Sequence, residues 1–162
     1  MAATTGKRRA VVTLPGPTQL LITRVFDAPR HLVYRAWTEP ELIEQWWHAN
    51  RGTVTSIEVD LRPGGRWRYA MQAAGGFEVA FWGVYREIVP NERLVSTEVF
   101  EGAPEAEAVT TTTFAEADGR TTVSILVEHQ NQQFRDLHLQ SGMEDGLQDA
   151  LDLVDDLVRQ LR

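Results

Sequence analysis

Between residues 53 and 129 apolar side chains alternate with polar ones, and on either side of that stretch they recur at helical spacing instead. Alternation is the pattern of a strand with one face buried. Turn chemistry divides the stretch at Arg62-Pro63-Gly64-Gly65, Gly75-Gly76, Pro90-Asn91, Gly102-Ala103-Pro104 and Asp118-Gly119. The strand-like runs between them are 53 to 61, 66 to 71, 77 to 89, 93 to 100, 109 to 114 and 121 to 129. The links are too short for crossover helices, so consecutive antiparallel hairpins follow. The chain then returns to helical period. Leu139, Met143, Leu147, Ala150, Leu151, Val154, Val158 and Leu161 form one apolar stripe, opposite Glu144, Asp145, Asp149, Asp152, Asp155 and Asp156. A single stripe has to be buried, and the inner face of the sheet is the surface large enough to bury it. The pattern predicts an α+β fold, a curved antiparallel sheet wrapped around one long C-terminal helix. The acidic face is expected to be solvated, with a partner-binding face as the alternative.

Before the sheet, LLITRVF (20 to 26) reads as a strand, stopped by Asp27-Ala28-Pro29, which opens a helix with Asp27 or Ala28 at the cap and Pro29 in the first turn. Leu32, Val33, Ala36 and Trp37 carry its apolar face. A second helix is expected from Pro40 through Leu42, Ile43, Trp46 and Trp47. Residues 1 to 18 read as a tail with a short strand at Ala10 to Leu14, and 19 to 162 as one domain; no internal repeat is visible.

Charge and composition exclude several functions. The net charge of −7 leaves Lys7-Arg8-Arg9 as the one basic cluster, most simply a solvated tail, which argues against nucleic acid as a partner. With no cysteine there is no disulfide, thiolate metal site or cysteine nucleophile. The N-terminus lacks the apolar stretch of a signal peptide, and no run approaches the roughly 18 apolar residues of a membrane helix. The expectation is a cytoplasmic protein without membrane insertion.

DLRPGGRW (60 to 67) could cradle a phosphate or simply turn the chain. A phosphate loop presents backbone N–H groups at a helix N-terminus. Here RWRYAM follows, which is strand. Pro63 and Gly64 fit the central positions of a type II turn, where glycine supplies positive φ.

These segments in series, ITRVFDAPRHLVYRAWTEPELIEQWW (22 to 47), IEVDLRPGGRWRY (57 to 69), WGVYREIVPNERLVST (82 to 97) and SGMEDGLQDALDLVDDLV (141 to 158), resemble the heat-shock-protein ATPase activator-like branch of the START-like (SRPBCC) superfamily. The resemblance runs from about residue 10 to 161 and implies a helix-grip (Bet v 1-like) fold, with a cavity between sheet and C-terminal helix. Where that family commonly carries tryptophan after the second glycine of the closing helix, this chain has Leu147, so ligand identity does not transfer from relatives.

Such a cavity is the usual form of a small-molecule site. Trp67, Tyr69 and Met71 share a strand face opposite Arg66 and Arg68 and should point inward, either lining a pocket or filling the core. Parity with Val123, Ile125 and Val127 carries His129 inward, as a core-edge histidine held by a neighbour or as a ligand-contacting group. On 77 to 89 both alternate sets are apolar; Phe81 and Tyr85 are favoured inward. Met143 lies on the helix stripe beside Gly142 and Gly146, which point to close packing on the sheet or to space for a ligand. Trp46 and Trp47 should end the second helix, one anchoring it and Trp47 bordering the cavity. The candidate ligand-binding set is therefore Trp47, Trp67, Tyr69, Phe81, Tyr85, His129 and Met143.

His31, His48, His129 and His138 show no metal-ligand spacing, His138 lying on a helix where it can face water, and no serine sits in a nucleophile elbow. No metal, cofactor or catalytic residue is assigned. The expected partner is a small hydrophobic or amphipathic molecule. A chaperone adaptor acting by protein contact, a cyclase- or hydrolase-like enzyme using the same cavity, and a homodimer are left open.

Overall fold

The computed structural model describes residues 9–162, so of the Lys7-Arg8-Arg9 cluster only the exposed Arg9 lies within the described residues. Its strands are β1 (Val11–Thr13), β2 (Gln19–Phe26), β3 (Gly52–Val59), β4 (Arg66–Ala73), β5 (Glu78–Val89), β6 (Arg93–Phe100), β7 (Ala108–Ala117) and β8 (Arg120–Glu128). The helices are α1 (Arg30–Thr38), α2 (Pro40–Ile43), α3 (Gln132–Gln140) and α4 (Met143–Leu161). The strands form one eight-stranded sheet in the order β1-β2-β8-β7-β6-β5-β4-β3, antiparallel at every pairing. The six strands of the alternating stretch are neighbours in chain order. β1 and β2 extend the sheet beyond β8, and α1 and α2 connect β2 to β3 at the opposite edge.

The turn at 62 to 65 closes with a 2.8 Å bond from Gly65 N–H to the Arg62 carbonyl, and Gly64 holds φ +84°. That is the type II geometry. Gly64 N–H and the Gly65 carbonyl also bond to the Tyr85 backbone, so the turn is tied to β5 rather than presented to a ligand.

Leu20, Ile22, Phe26, Val33, Phe114 and Val123 pack against Leu151, Val154, Leu157 and Val158. The C-terminal half of α4 is thus the part that fills the core against β2, β8 and α1. Ala10, at the start of the short strand expected within the tail, is buried and exchanges two backbone bonds with the Gln148 amide, at 3.0 and 2.9 Å, which fixes the segment leading into β1 to α4. No helix of the described residues is long and apolar enough to cross a membrane.

Four local expectations are corrected. The N-cap of α1 is Pro29, with no side-chain cap; Glu116 of β7 instead accepts from the Arg30 N–H at 2.8 Å, freeing Asp27 to pair with Arg162 at 3.3 Å. α2 stops at Ile43, so Trp46 and Trp47 do not end it. Beyond Ile43 the chain winds through successive turns that finish in left-handed Ala49 (φ 50°) and Asn50 (φ 61°). The closing helix is two helices. Gly142 at φ +82° separates α4 from α3, whose start is capped by the Asn131 side chain accepting from Phe134 N–H at 2.8 Å. Gly142 therefore breaks a helix, and Gly146 does not approach the sheet, since a Cβ there would meet only Arg51 side-chain atoms 3.9–4.0 Å away. Finally, the acidic face is not uniformly solvated: Asp155 is buried on Arg159 at 3.1 Å and Asp152 holds the buried Arg24 at 2.7 Å.

Candidate functional site

The N-terminal half of α4 borders open space. Beneath Leu147, Ala150 and Leu151 lies a cavity of about 240 Å³, walled by Trp46 and Trp47, by Trp67 and Tyr69 of β4, by Phe81 and Tyr85 of β5 and by Leu94 and Ser96 of β6. A second cavity, about 550 Å³, lies toward α3, among Val79, Phe100, Val127, His129, Phe134, Leu137 and Met143. Phe81 and Glu98 line both, so the two adjoin.

The two tryptophans are placed by the turns after α2. Trp46 Nε1–H donates to the Ala36 carbonyl at 2.9 Å and its ring packs on Trp37 at 5.2 Å, which anchors the segment to α1. Trp47 is left to stand edge-on to Tyr69 (5.6 Å) and Phe81 (6.0 Å), geometry that aromatic quadrupoles favour. Tyr69 and Phe81 are direct cross-strand partners, as are Trp67 and Gly83. On β5 a register shift between Tyr85 and Glu87 changes the parity, so Phe81, Gly83 and Tyr85 face inward before it and Ile88 packs on the core after it. Trp82 faces out, under the Arg66 guanidinium at 4.7 Å. Gly83 is required by closeness: a Cβ would lie 1.8 Å from the Thr97 carbonyl oxygen and 2.6 Å from Trp67 Nε1.

The seven residues singled out by sequence divide between the two spaces. Trp47, Trp67, Tyr69, Phe81 and Tyr85 come together on the first cavity, while His129 and Met143 lie on the second, with Phe81 between. His129 is held by a neighbour, which is His138, with Nε2 and Nδ1 3.0 Å apart and the rings edge-to-face. His138 is therefore turned inward rather than to water. Burial pushes both rings below the ordinary histidine value, His138 to about 4; the Arg135 charge adds to the effect on His129.

Glu98 escaped the sequence reading. On β6 the set Val95, Thr97, Val99 looks the more apolar, yet Leu94, Ser96 and Glu98 line the cavities. Enclosure raises the Glu98 carboxyl above the ordinary range, only partly opposed by a 3.3 Å hydrogen bond from Thr110 Oγ1. Burial likewise raises Tyr69 well above its usual value and Tyr85 to about 12, the two phenols sharing a hydrogen bond. Both are neutral donors at any ordinary pH. The polar set of the first cavity is thus hydroxyls, two phenols and one carboxyl within aromatic walls. Among the described residues no group of three or more His, Cys, Asp or Glu could hold a metal ion.

The model of the family described as "Activator of Hsp90 ATPase homolog 1-like protein" matches residues 27–159. The chain belongs to that family. Structures similar to this chain agree on its fold. A protein of Chromobacterium violaceum is 30% identical, with 88% of this chain and 98% of that one covered and a TM-score of 0.74. One from Rhodobacter sphaeroides is 21% identical, covering 94% and 99%, with a TM-score of 0.89. One from Nitrosomonas europaea is 24% identical, covering 91% and 98%, with a TM-score of 0.82. No curated protein matches the chain. The curved antiparallel sheet with its C-terminal helix is the helix-grip architecture, and Leu147 lines the first cavity.

Proposed function

We propose that this activator-like domain binds a small hydrophobic or amphipathic molecule in the paired cavities between β4 to β6 and the N-terminal half of α4, with Trp47, Trp67, Tyr69, Phe81, Tyr85, His129 and Met143 as contacts. The observation that carries the reading is the adjoining of the two spaces at Phe81 and Glu98. One is walled by aromatic rings with a few convergent polar groups; the other, about 550 Å³, falls in the size range of small-molecule sites. Native mass spectrometry and a thermal-shift panel of aromatic and aliphatic amphiphiles test it. A co-purifying molecule, or stabilisation by ligands that Trp47→Ala abolishes, is the expected result; a panel that shifts nothing, with a crystal structure showing the spaces collapsed, refutes it.

A second reading, an adaptor on a chaperone ATPase, draws on the family description and on two apolar side chains at the rim of the second cavity, Phe100 and Leu137, which are 41% and 56% exposed. An increase in Hsp90 ATPase rate on adding the protein, lost in Leu137→Asp, supports it; an unchanged rate removes it.

A further inference from the structure

Charges enclosed elsewhere in the described residues have counter-ions. Arg24 sits on Asp152 at 2.7 Å, Arg135 on Asp136 at 2.8 Å and Asp155 on Arg159 at 3.1 Å. Glu98 is the exception. Its carboxyl has one bond, from the Thr110 hydroxyl at 3.3 Å, and no cation beside it among the described residues. A carboxylate offers about four acceptor sites, so most of its capacity is unused. Among the residues lining either cavity the one arginine or lysine, Arg51, is occupied by Asp149 and by the Ala49 carbonyl, both at 2.7 Å.

Three aromatic rings share the first cavity with this carboxyl. Trp47 meets Tyr69 at 73° and Phe81 at 83°, and all three line the first cavity with Glu98. Ring faces attract cations through their quadrupole, and the attraction is larger where water is excluded. A carboxyl in the same space adds a charge-assisted hydrogen bond. An anionic ligand would meet repulsion from the ionised carboxyl, and a neutral one would make no ion pair with it.

We propose that the first cavity receives the ammonium group of an amine-bearing amphipathic ligand, held by Glu98 among Trp47, Tyr69 and Phe81, with the apolar remainder passing Phe81 into the second cavity. The proposal rests on the cavity-binding reading above and names the ligand class. Burial keeps Glu98 protonated more than an ordinary glutamate while the site is free of cation. An arriving ammonium displaces that proton to solvent, and the bound pair is carboxylate and ammonium. The other titratable groups facing the two cavities are Tyr69, Tyr85, Arg51, Glu105, His129 and His138.

The test is calorimetric titration of the full chain with phenylbutylamine, phenylbutanol and phenylbutyrate, which share ring and chain and differ in the head group. The amine is expected to bind about tenfold tighter than the alcohol, and the carboxylate weakest. Glu98→Gln keeps the shape and the Thr110 bond, and should weaken the amine about thirtyfold while leaving the alcohol within about threefold. Trp47→Leu should weaken the amine more than the alcohol, and decides the same comparison if Glu98→Gln does not fold. An amine that binds no tighter than the alcohol, or that is indifferent to Glu98→Gln, overturns the ammonium assignment and leaves the cavity reading standing. Binding of none of the three probes overturns both.

Discussion

Glycine to alanine is the same chemical change at Gly83 and Gly146, and the structure assigns it opposite signs. At Gly83 the new methyl would lie 1.8 Å from the Thr97 carbonyl oxygen and 2.6 Å from Trp67 Nε1. The carbonyl belongs to β6 and cannot rotate away, so β5 and β6 must separate by more than 1 Å before the contact reaches the 3.0 Å below which Cβ atoms are essentially never found. The 2.9 Å bond from Val84 N–H to Thr97 Oγ1 would not survive that separation. Overpacking costs about 1–3 kcal/mol, and each buried group left without its partner about 1–3 kcal/mol more. Gly83→Ala is therefore expected to lose about 2–6 kcal/mol, a large share of the 5–15 kcal/mol typical of a folded domain, and to displace Trp67 from the cavity wall. At Gly146 the methyl meets only Arg51 atoms at 3.9–4.0 Å, in a helix. Gly146→Ala should gain about 0.5–1 kcal/mol. Urea unfolding followed by tryptophan fluorescence measures both, and near-UV circular dichroism reports Trp67. A loss below about 1 kcal/mol for Gly83→Ala with an unchanged near-UV spectrum refutes the argument that β5 must be bare opposite Trp67.

Three further outcomes follow from the geometry. Asp152→Ala strands the Arg24 guanidinium, whose side chain is 1% exposed, and should cost about 3 kcal/mol, whereas Arg24→Met with Asp152→Ala should recover most of it; a double variant as unstable as the single one contradicts this. His129 and His138 resist protonation in the folded state, His138 down to about 4 against 6.5 for an ordinary histidine. The stability they lend is complete above about pH 6.5 and drains as pH falls toward 4; His138→Gln should flatten that part of the denaturation-midpoint profile, and an unchanged slope counts against the pair. Glu116→Ala removes the carboxylate that accepts from the first N–H of α1 at 2.8 Å, and should lower stability by about 1 kcal/mol in the same urea assay, with Glu116→Gln retaining about half.

Element order was legible because its signals are local. Period and turn residues need no partner to be read, and Pro63-Gly64 carried its turn type in two positions. Facing was legible only where one alternate set was clearly polar, as with Arg66 and Arg68 opposite Trp67 and Tyr69. On β5 no single parity could have been right, because the register shift between Tyr85 and Glu87 puts Phe81, Tyr85 and Ile88 on one side of the sheet. On β6 the apolar set lies away from the cavity, and Glu98 was hidden by the rule that carboxyls face water. The break at Gly142 was concealed by a stripe that continues at helical spacing from Leu139 of α3 into Met143 of α4.

The inward placing of Glu98 has a physical cause. Apolar patterning locates the surfaces that water must leave, and it is silent where a fold encloses space instead of filling it. The C-terminal half of α4 obeys the pattern: Val154 and Val158 are fully buried in the core. The N-terminal half departs from it, with Leu147 and Ala150 over a cavity, and there the facing sheet carries Ser96, Glu98, Thr110 and Thr112 where a packed core would carry apolar side chains. Such polar inward positions cost stability unless something occupies the space to meet them. Their clustering at one end of one helix, beside a break after which α3 lines the second cavity, is the pattern of a helix divided between holding the fold and leaving room inside it.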